Sequence, residues 1–268
     1  HIAVCFDTAA PTERHTDFAD YKANRQETPE DIRAAVPDIM KIVEAFNIPV
    51  IAIDGYEADD VIGTLAKQAA ASGYEVFMVT PDKDYGQLVS DKIKIYKPPY
   101  QGGQIEIMGP EEVCKKWGIQ NVDQVIDILG LMGDAVDNIP GIKGVGEKTA
   151  AKLINEYGSM ENILANAENI KGAMGQKIMA GKEDAIMSKK LATIILDVPV
   201  QFHEEEFELS PMNEKALIEI FEQLEFKSFT KILFGAYAAA SNTTATENTK
   251  STASTQIDLF GTATVSDT

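Results

Sequence analysis

The sequence predicts an α/β fold: a mainly parallel sheet with helices on both faces, followed by a helical lobe and a disordered tail. Three observations carry the prediction. Short apolar runs alternate with segments of helical period over residues 1–108; the period is helical from about 110 to 237; and from 238 onward the chain is small, polar and Thr-rich.

Taken in order, HIAVCFD (1–7) is a buried-strand run, and TPEDIRAAVPDIMKIVEAFN (28–47) has a helical apolar period broken only by Pro37. IPVIAID (48–54) is a second strand, EADDVIGTLAKQAAASG (57–73) a helix closed by Gly73, YEVFMVT (74–80) a third strand and KIKIYKP (92–98) a fourth. Helices are then expected at 110–118, 121–133, 147–158, 159–170, 175–195, 213–226 and 228–237, with an extended stretch at DVPVQF (197–202). Residues 1–108 form the expected α/β core, 109–237 the helical lobe and 238–268 the tail, whose composition cannot offset the cost of ordering its backbone. No internal repeat is visible.

With 268 residues, 44% of them hydrophobic, the chain can bury one large core or two small ones. No apolar run reaches the roughly 18–20 residues that cross a bilayer, and the first residues do not read as a secretion signal. No membrane partner is expected. Cys5 and Cys114 lack metal-type spacing and read as buried thiols of a reducing, cytoplasmic compartment. Because His1 already lies in a strand-like run, the chain is expected to lack an N-terminal segment. Its formal net charge of −18, from 24 basic and 42 acidic residues, speaks by itself against a nucleic-acid partner. Net charge is a sum, so local distribution decides.

The acids are concentrated at strand ends. Asp7 ends the first strand, Glu57, Asp59 and Asp60 follow the second, and Asp82 and Asp84 follow the third. Ligands of open parallel sheets gather at that edge. Crowded carboxylates repel unless cations intervene, and oxygen donors without Cys or His suit Mg²⁺ or Mn²⁺. Either knot alone reads equally well as a helix start or a solvated turn; together with Asp7 they read as metal ligands. Asp134 and Asp137, in GLMGDAVDNIPG, stand one helical turn apart near a loop and extend the set.

Two further stretches suggest phosphate. In IPGIKGVGEKTAAKLI, Gly141, Gly144 and Gly146 form a hairpin that runs into a helix, so amide N–H groups and the helix N-terminus can face an anion. Lys143, Lys148 and Lys152 surround it, and such a grip holds phosphate without reading bases. In ERHTDFADYKANRQETP, Arg14, His15, Lys22 and Arg25 recur at about helical spacing. Lys22 and Arg25 suit the charge of a reacting phosphate and Tyr21 suits base stacking, whereas His15 reads better as a solvated helix face.

FDTAAPTERHTDFADYKANRQETPEDI, GYEADDVIGTLA, VTPDKDYGQLV and LMGDAVDNIPGIKGVGEKTAAKLI together resemble the consecutive motifs of the 5′→3′ exonuclease domain of bacterial DNA polymerase I, a branch of the PIN-like flap-endonuclease superfamily. The resemblance spans residues 2–237. It implies structure-selective hydrolysis at 5′ ends, nicks and 5′ flaps, as in RNA-primer removal and repair, with two Mg²⁺ or Mn²⁺ ions, beside a covalently linked polymerase region. Asp7, Glu57, Asp59 and Asp60 resemble the family's first metal group, and Asp82, Asp84, Asp134 and Asp137 its second. Lys22 and Arg25 match the basic residues of its helical gateway, with Arg14 and Tyr21 beside them on the DNA. Gly141, Lys143, Gly144, Gly146, Lys148 and Thr149 match its helix–three-turn–helix, which in relatives also holds a monovalent cation such as K⁺.

The family begins with a further strand that bears a metal-binding aspartate, so the chain as given is expected to be weakened in folding and catalysis. The alternative is a branched-DNA-binding module. A receiver or aspartyl-phosphate phosphatase explains neither the hairpin nor Asp134 and Asp137. In the tail, QIDLF resembles sliding-clamp-binding peptides through Gln256, Leu259 and Phe260.

Overall fold

The computed structural model describes residues 1–99 and 102–243. Most of residues 238–268, with the candidate clamp-binding Gln256, Leu259 and Phe260, lies outside the described residues. The elements run β1 (Val4–Cys5), α1 (Glu13–Asp17), α2 (Glu30–Ala45), β2 (Val50–Ile51), α3 (Ala58–Ala71), β3 (Val76–Val79), β4 (Ile93–Lys97), β5 (Glu106–Met108), α4 (Pro110–Trp117), α5 (Gln124–Met132), α6 (Glu147–Tyr157), α7 (Met160–Ala165), α8 (Ala173–Ala180), α9 (Lys182–Ala192), α10 (Glu204–Phe207), α11 (Glu214–Gln223) and α12 (Lys227–Thr243).

All four expected strands form, though shorter than their apolar runs. β1 pairs parallel with β2, and β3 pairs parallel with β4. The expected sheet is present as two ladders, β1–β2 and β3–β4–β5. The strand not foreseen, β5, is antiparallel to β4 because the short link over 98–105 has no room for the helix a parallel crossover needs. Pro37 lies inside α2 without ending it, and Gly181 divides the expected 175–195 helix into α8 and α9. The stretch at 197–202, expected to be extended, forms neither helix nor strand, and α12 carries helix past 238 to Thr243.

His1–Asn213 form one compact unit and Glu214 onward a second. The expected boundary near 108 falls inside the first, because a single core runs through it: Met78, Ile93 and Ile95 of the sheet share it with Trp117, Ile128, Leu131, Ile154 and Ile178 of the helices. Burial at roughly 25 cal/mol per Å² of apolar surface is what binds these parts. In the second unit, Phe221, Phe226 and Phe229 pack with ring centroids 5.7–6.3 Å apart. No helix among the described residues is long and apolar enough to cross a membrane.

One crossing positions the functional loop. Gly133, after α5, and Gly141 have φ of +69° and +58°, and a methyl built on Gly141 would meet the Gly133 nitrogen at 2.4 Å. Only glycine allows both that backbone and that approach. The neck so formed, with backbone hydrogen bonds between Asp134 and Ile139, presents residues 134–138 as a tight loop.

Candidate functional site

A cleft of about 210 Å³ lies at the carboxyl ends of β1, β2 and β3. Asp7 comes from the end of β1, Glu57 and Asp59 from the start of α3, Asp82 and Asp84 from beyond β3, and Asp137 from the glycine-necked loop, while Tyr21, Lys22 and Arg25 line it from the chain after α1. The strand-end placement read from the sequence therefore brings these residues to one cavity.

Three assignments need correction. Asp60 is fully buried and has no capacity left for a metal: the Arg14 guanidinium donates to both its oxygens at 2.7 and 2.8 Å, and the Glu57 and Ile195 N–H groups add bonds of 3.1 and 2.8 Å. Arg14 is correspondingly no DNA contact; buried, it donates also to the Leu191 and Thr193 carbonyls at 3.0 and 2.9 Å. Tyr21 is buried with its hydroxyl on Glu57 at 3.1 Å, so it does not offer a face for a base. The helical spacing of the basic stretch also fails beyond α1: Lys22 has φ +56°, and the chain from 19 to 25 is a series of turns. His15 caps α1 through Thr12, whose Oγ1 lies 2.9 Å from its Nδ1.

Those turns are sewn to the acidic loop. The Lys22 N–H donates to the Asp137 carbonyl at 2.9 Å, Asn24 to the Ala135 carbonyl at 2.7 Å, and Asn138 to the Asp20 carbonyl at 2.7 Å, while Arg25 grips the Asp137 carboxylate. Lys22 Nζ rests 2.6 Å from Glu57, and Lys83 Nζ 2.6 Å from Asp134. Sequence reasoning missed Lys83, Asn24 and Asn138. For Lys83 a signal existed in PDKD, where one lysine sits between two acids of a crowded knot; for the asparagines none did.

Asp7, Asp59, Asp82 and Asp84 make no ion pair among the described residues, and two of them are also short of hydrogen bonds. Asp59 and Asp84 each have a buried carboxylate oxygen with no hydrogen-bond partner, and both carboxyls are pushed up to about 7. Burial is the main cause for each, followed by Asp60 and Glu57 beside Asp59 and by Asp82 beside Asp84. Burial also opposes ionisation of Asp134, but Lys83 and the Val136 N–H outweigh it and hold that carboxyl below its ordinary value. Asp7 accepts from the Ala58 N–H at 2.7 Å, at the positive end of α3. Among the described residues no three of the acids converge on a single point, and Lys22, Arg25 and Lys83 are paired with Glu57, Asp137 and Asp134. Partnerless buried oxygens in an oxygen-only donor set nonetheless fit hard divalent ions.

The glycine turn leads into α6 as expected, but Gly141 is buried and its N–H is already used, so that amide does not face an anion. Gly141 N–H donates to Ser188 Oγ at 2.8 Å, Gly146 is the N-cap of α6, and Lys143, Lys148 and Lys152 are exposed, with Thr149 half-buried.

Residues 1–118 match the 5′-3′ exonuclease N-terminal resolvase-like domain, and residues 120–215 the 5′-3′ exonuclease C-terminal SAM fold. DNA polymerase I of Caldicellulosiruptor bescii is 40% identical over 235 residues, which cover 87% of this chain and 28% of that protein. DNA polymerase I of Bacillus subtilis is 39% identical over 234 residues, covering 87% of this chain and 26% of that protein. The chain thus spans about a quarter of the length of these relatives. Among solved structures, the phage T5 5′-exonuclease with bound zinc superposes with a TM-score of 0.61 at 22% identity, covering 82% of this chain and 83% of that one, and shares its fold. Two adjoining domain matches in family order, over the residues that build both the acid cleft and the glycine hairpin, lead to one conclusion: the chain belongs to the 5′-3′ exonuclease family.

Proposed function

We propose that this chain hydrolyses phosphodiester bonds at 5′ ends, nicks and 5′ flaps of DNA, RNA primers included, using two divalent cations, as the 5′-nuclease part of a longer DNA polymerase I-like protein. The observation that carries the reading is the pair of partnerless buried oxygens on Asp59 and Asp84, brought from two strand ends to one cleft with Lys22 and Arg25. Asp7, Glu57, Asp59, Asp82, Asp84, Asp134 and Asp137 would hold Mg²⁺ or Mn²⁺; Asp60, saturated by Arg14, would not. Such ions supply a nucleophilic hydroxide at neutral pH and offset charge on the attacking and leaving oxygens.

The chain's own residues bind and orient. Lys22 and Arg25 now rest on Glu57 and Asp137, and they exchange those carboxylates for the phosphate to be cut. Tyr21 fixes the Glu57 carboxylate from behind. The hairpin amides and lysines hold the duplex backbone without reading bases, so selectivity rests on the shape of the 5′ end; K⁺ at the hairpin belongs to the same reading.

Cleavage of a 5′-end-labelled flap duplex, with Mg²⁺, with Mn²⁺ and with chelator, tests the proposal beside Asp59→Asn. Divalent-dependent flap release that disappears in the variant is expected. Release that persists in chelator would end the metal reading. The spacing of the acids favours a second reading, a module that binds branched DNA without cutting it; flap binding with no release under any divalent ion is its signature.

A further inference from the structure

A lysine from outside the hairpin sits on the hairpin's turn. Gly144 has φ +80°, and a methyl built on it would stand 2.8 Å from Lys177 Nζ and 3.5 Å from its Cε. Lys177 belongs to α8, which the sequence places 33 residues further along. Packing holds that helix by the hairpin: Ile178, the next residue, is fully buried in the core that also holds Ile142 and Val145, and a methyl on Gly181, just past α8, would lie 3.1 Å from Ile142 Cγ2 at the hairpin's start.

The ammonium has no counter-charge there. Lys177 is exposed and makes no ion pair among the described residues, and the same holds for Lys143 and Lys148. Each of the four cations that serve the acid cleft has a carboxylate instead. A chain with an 18-charge excess of acids does not lack candidates to neutralise three lysines. Keeping them unpaired, around a turn whose glycine leaves the backbone uncovered, makes a place for an external anion.

We infer that Lys177 is a phosphate-binding residue of the hairpin, holding one backbone phosphate of duplex DNA from the α8 side while Lys143 and Lys148 approach from the hairpin and α6. The inference rests on the phosphate-grip reading above and extends it to a residue on a separate helix. The missing Cβ at Gly144 is required by its positive φ, and the room it leaves is where the Lys177 ammonium lies.

Binding of the intact protein to fluorescently labelled duplex DNA, followed across a salt titration, tests it. Lys177→Ala should weaken binding several-fold at low salt and reduce the slope of log affinity against log salt by about 0.9, the loss of one phosphate contact. Its melting temperature should match the parent's, since the side chain is exposed, and Lys177→Arg should keep both affinity and slope. Parent-like slope in Lys177→Ala, with a reduced slope in Lys148→Ala, would overturn the assignment of Lys177 and leave the grip standing. Parent-like slopes in both variants would overturn the grip and the inference with it. An equal loss in Lys177→Arg would overturn the inference too, because charge would not be the cause.

Discussion

The acid cleft and the glycine hairpin treat charge in opposite ways. In the cleft, Lys22 rests on Glu57, Arg25 on Asp137, Lys83 on Asp134 and Arg14 on Asp60, and what is left over is negative: the buried oxygens of Asp59 and Asp84. At the hairpin, Lys143, Lys148 and Lys177 make no ion pair among the described residues, and what is left over there is positive. A net charge of −18 describes neither region. On the proposed reading the first takes cations and the second an anion, and that division would let an acidic chain engage DNA.

The sharpest division between the regions is functional. Replacing Asp59 and Asp84 together by Asn should cut flap cleavage at least about a thousandfold while duplex binding through the hairpin persists, measured as single-turnover rate against anisotropy. Equal loss of both would merge the two regions and break the comparison. Next in size is the buried ion pair. Arg14→Ala leaves Asp60 uncompensated and should cost about 3–5 kcal/mol of stability by denaturant titration, an outcome that a surface DNA contact would not produce.

A pH effect follows from the leftover negative charge. The Asp59 and Asp84 carboxyls keep their protons to about pH 7 in the folded chain but lose them near the ordinary value of 3.8 when unfolded. The folded state therefore binds more protons between those values, so this contribution is complete below about pH 4 and is lost as pH rises through 7. Without divalent ions the protein should melt several degrees lower at pH 8 than at pH 5, and Asp84→Asn should narrow the gap, by calorimetry at fixed salt. The smallest effect belongs to the other region: Lys148→Ala should weaken duplex binding several-fold and lower its salt slope by about one, with cleavage at saturating DNA unchanged.

The strand-end acids were legible because a parallel sheet puts the ends of β1, β2 and β3 on one edge, and the glycine hairpin because its spacing dictates backbone geometry. What was not legible depended on partners far along the chain. Asp60 and Asp59 are adjacent and alike in sequence, yet one is saturated by Arg14 and the Ile195 N–H while the other keeps a free oxygen. The one local difference is the capping bond that Asp60 accepts from the Glu57 N–H; its other partners lie far along the chain. Lys177 reaches Gly144 only through the packing of α8, and β5 turns back because its link is short, a matter of length rather than period.

Titration of Mn²⁺ into the metal-free protein, followed calorimetrically at pH 6 and pH 8, tests the central claim that the cleft's unpaired carboxylates are cation ligands. The account predicts saturable binding that is tighter at pH 8, with proton release at pH 6, and is abolished in the Asp59→Asn, Asp84→Asn double variant. Binding of the same affinity in that variant, or none in the parent at either pH, would contradict it.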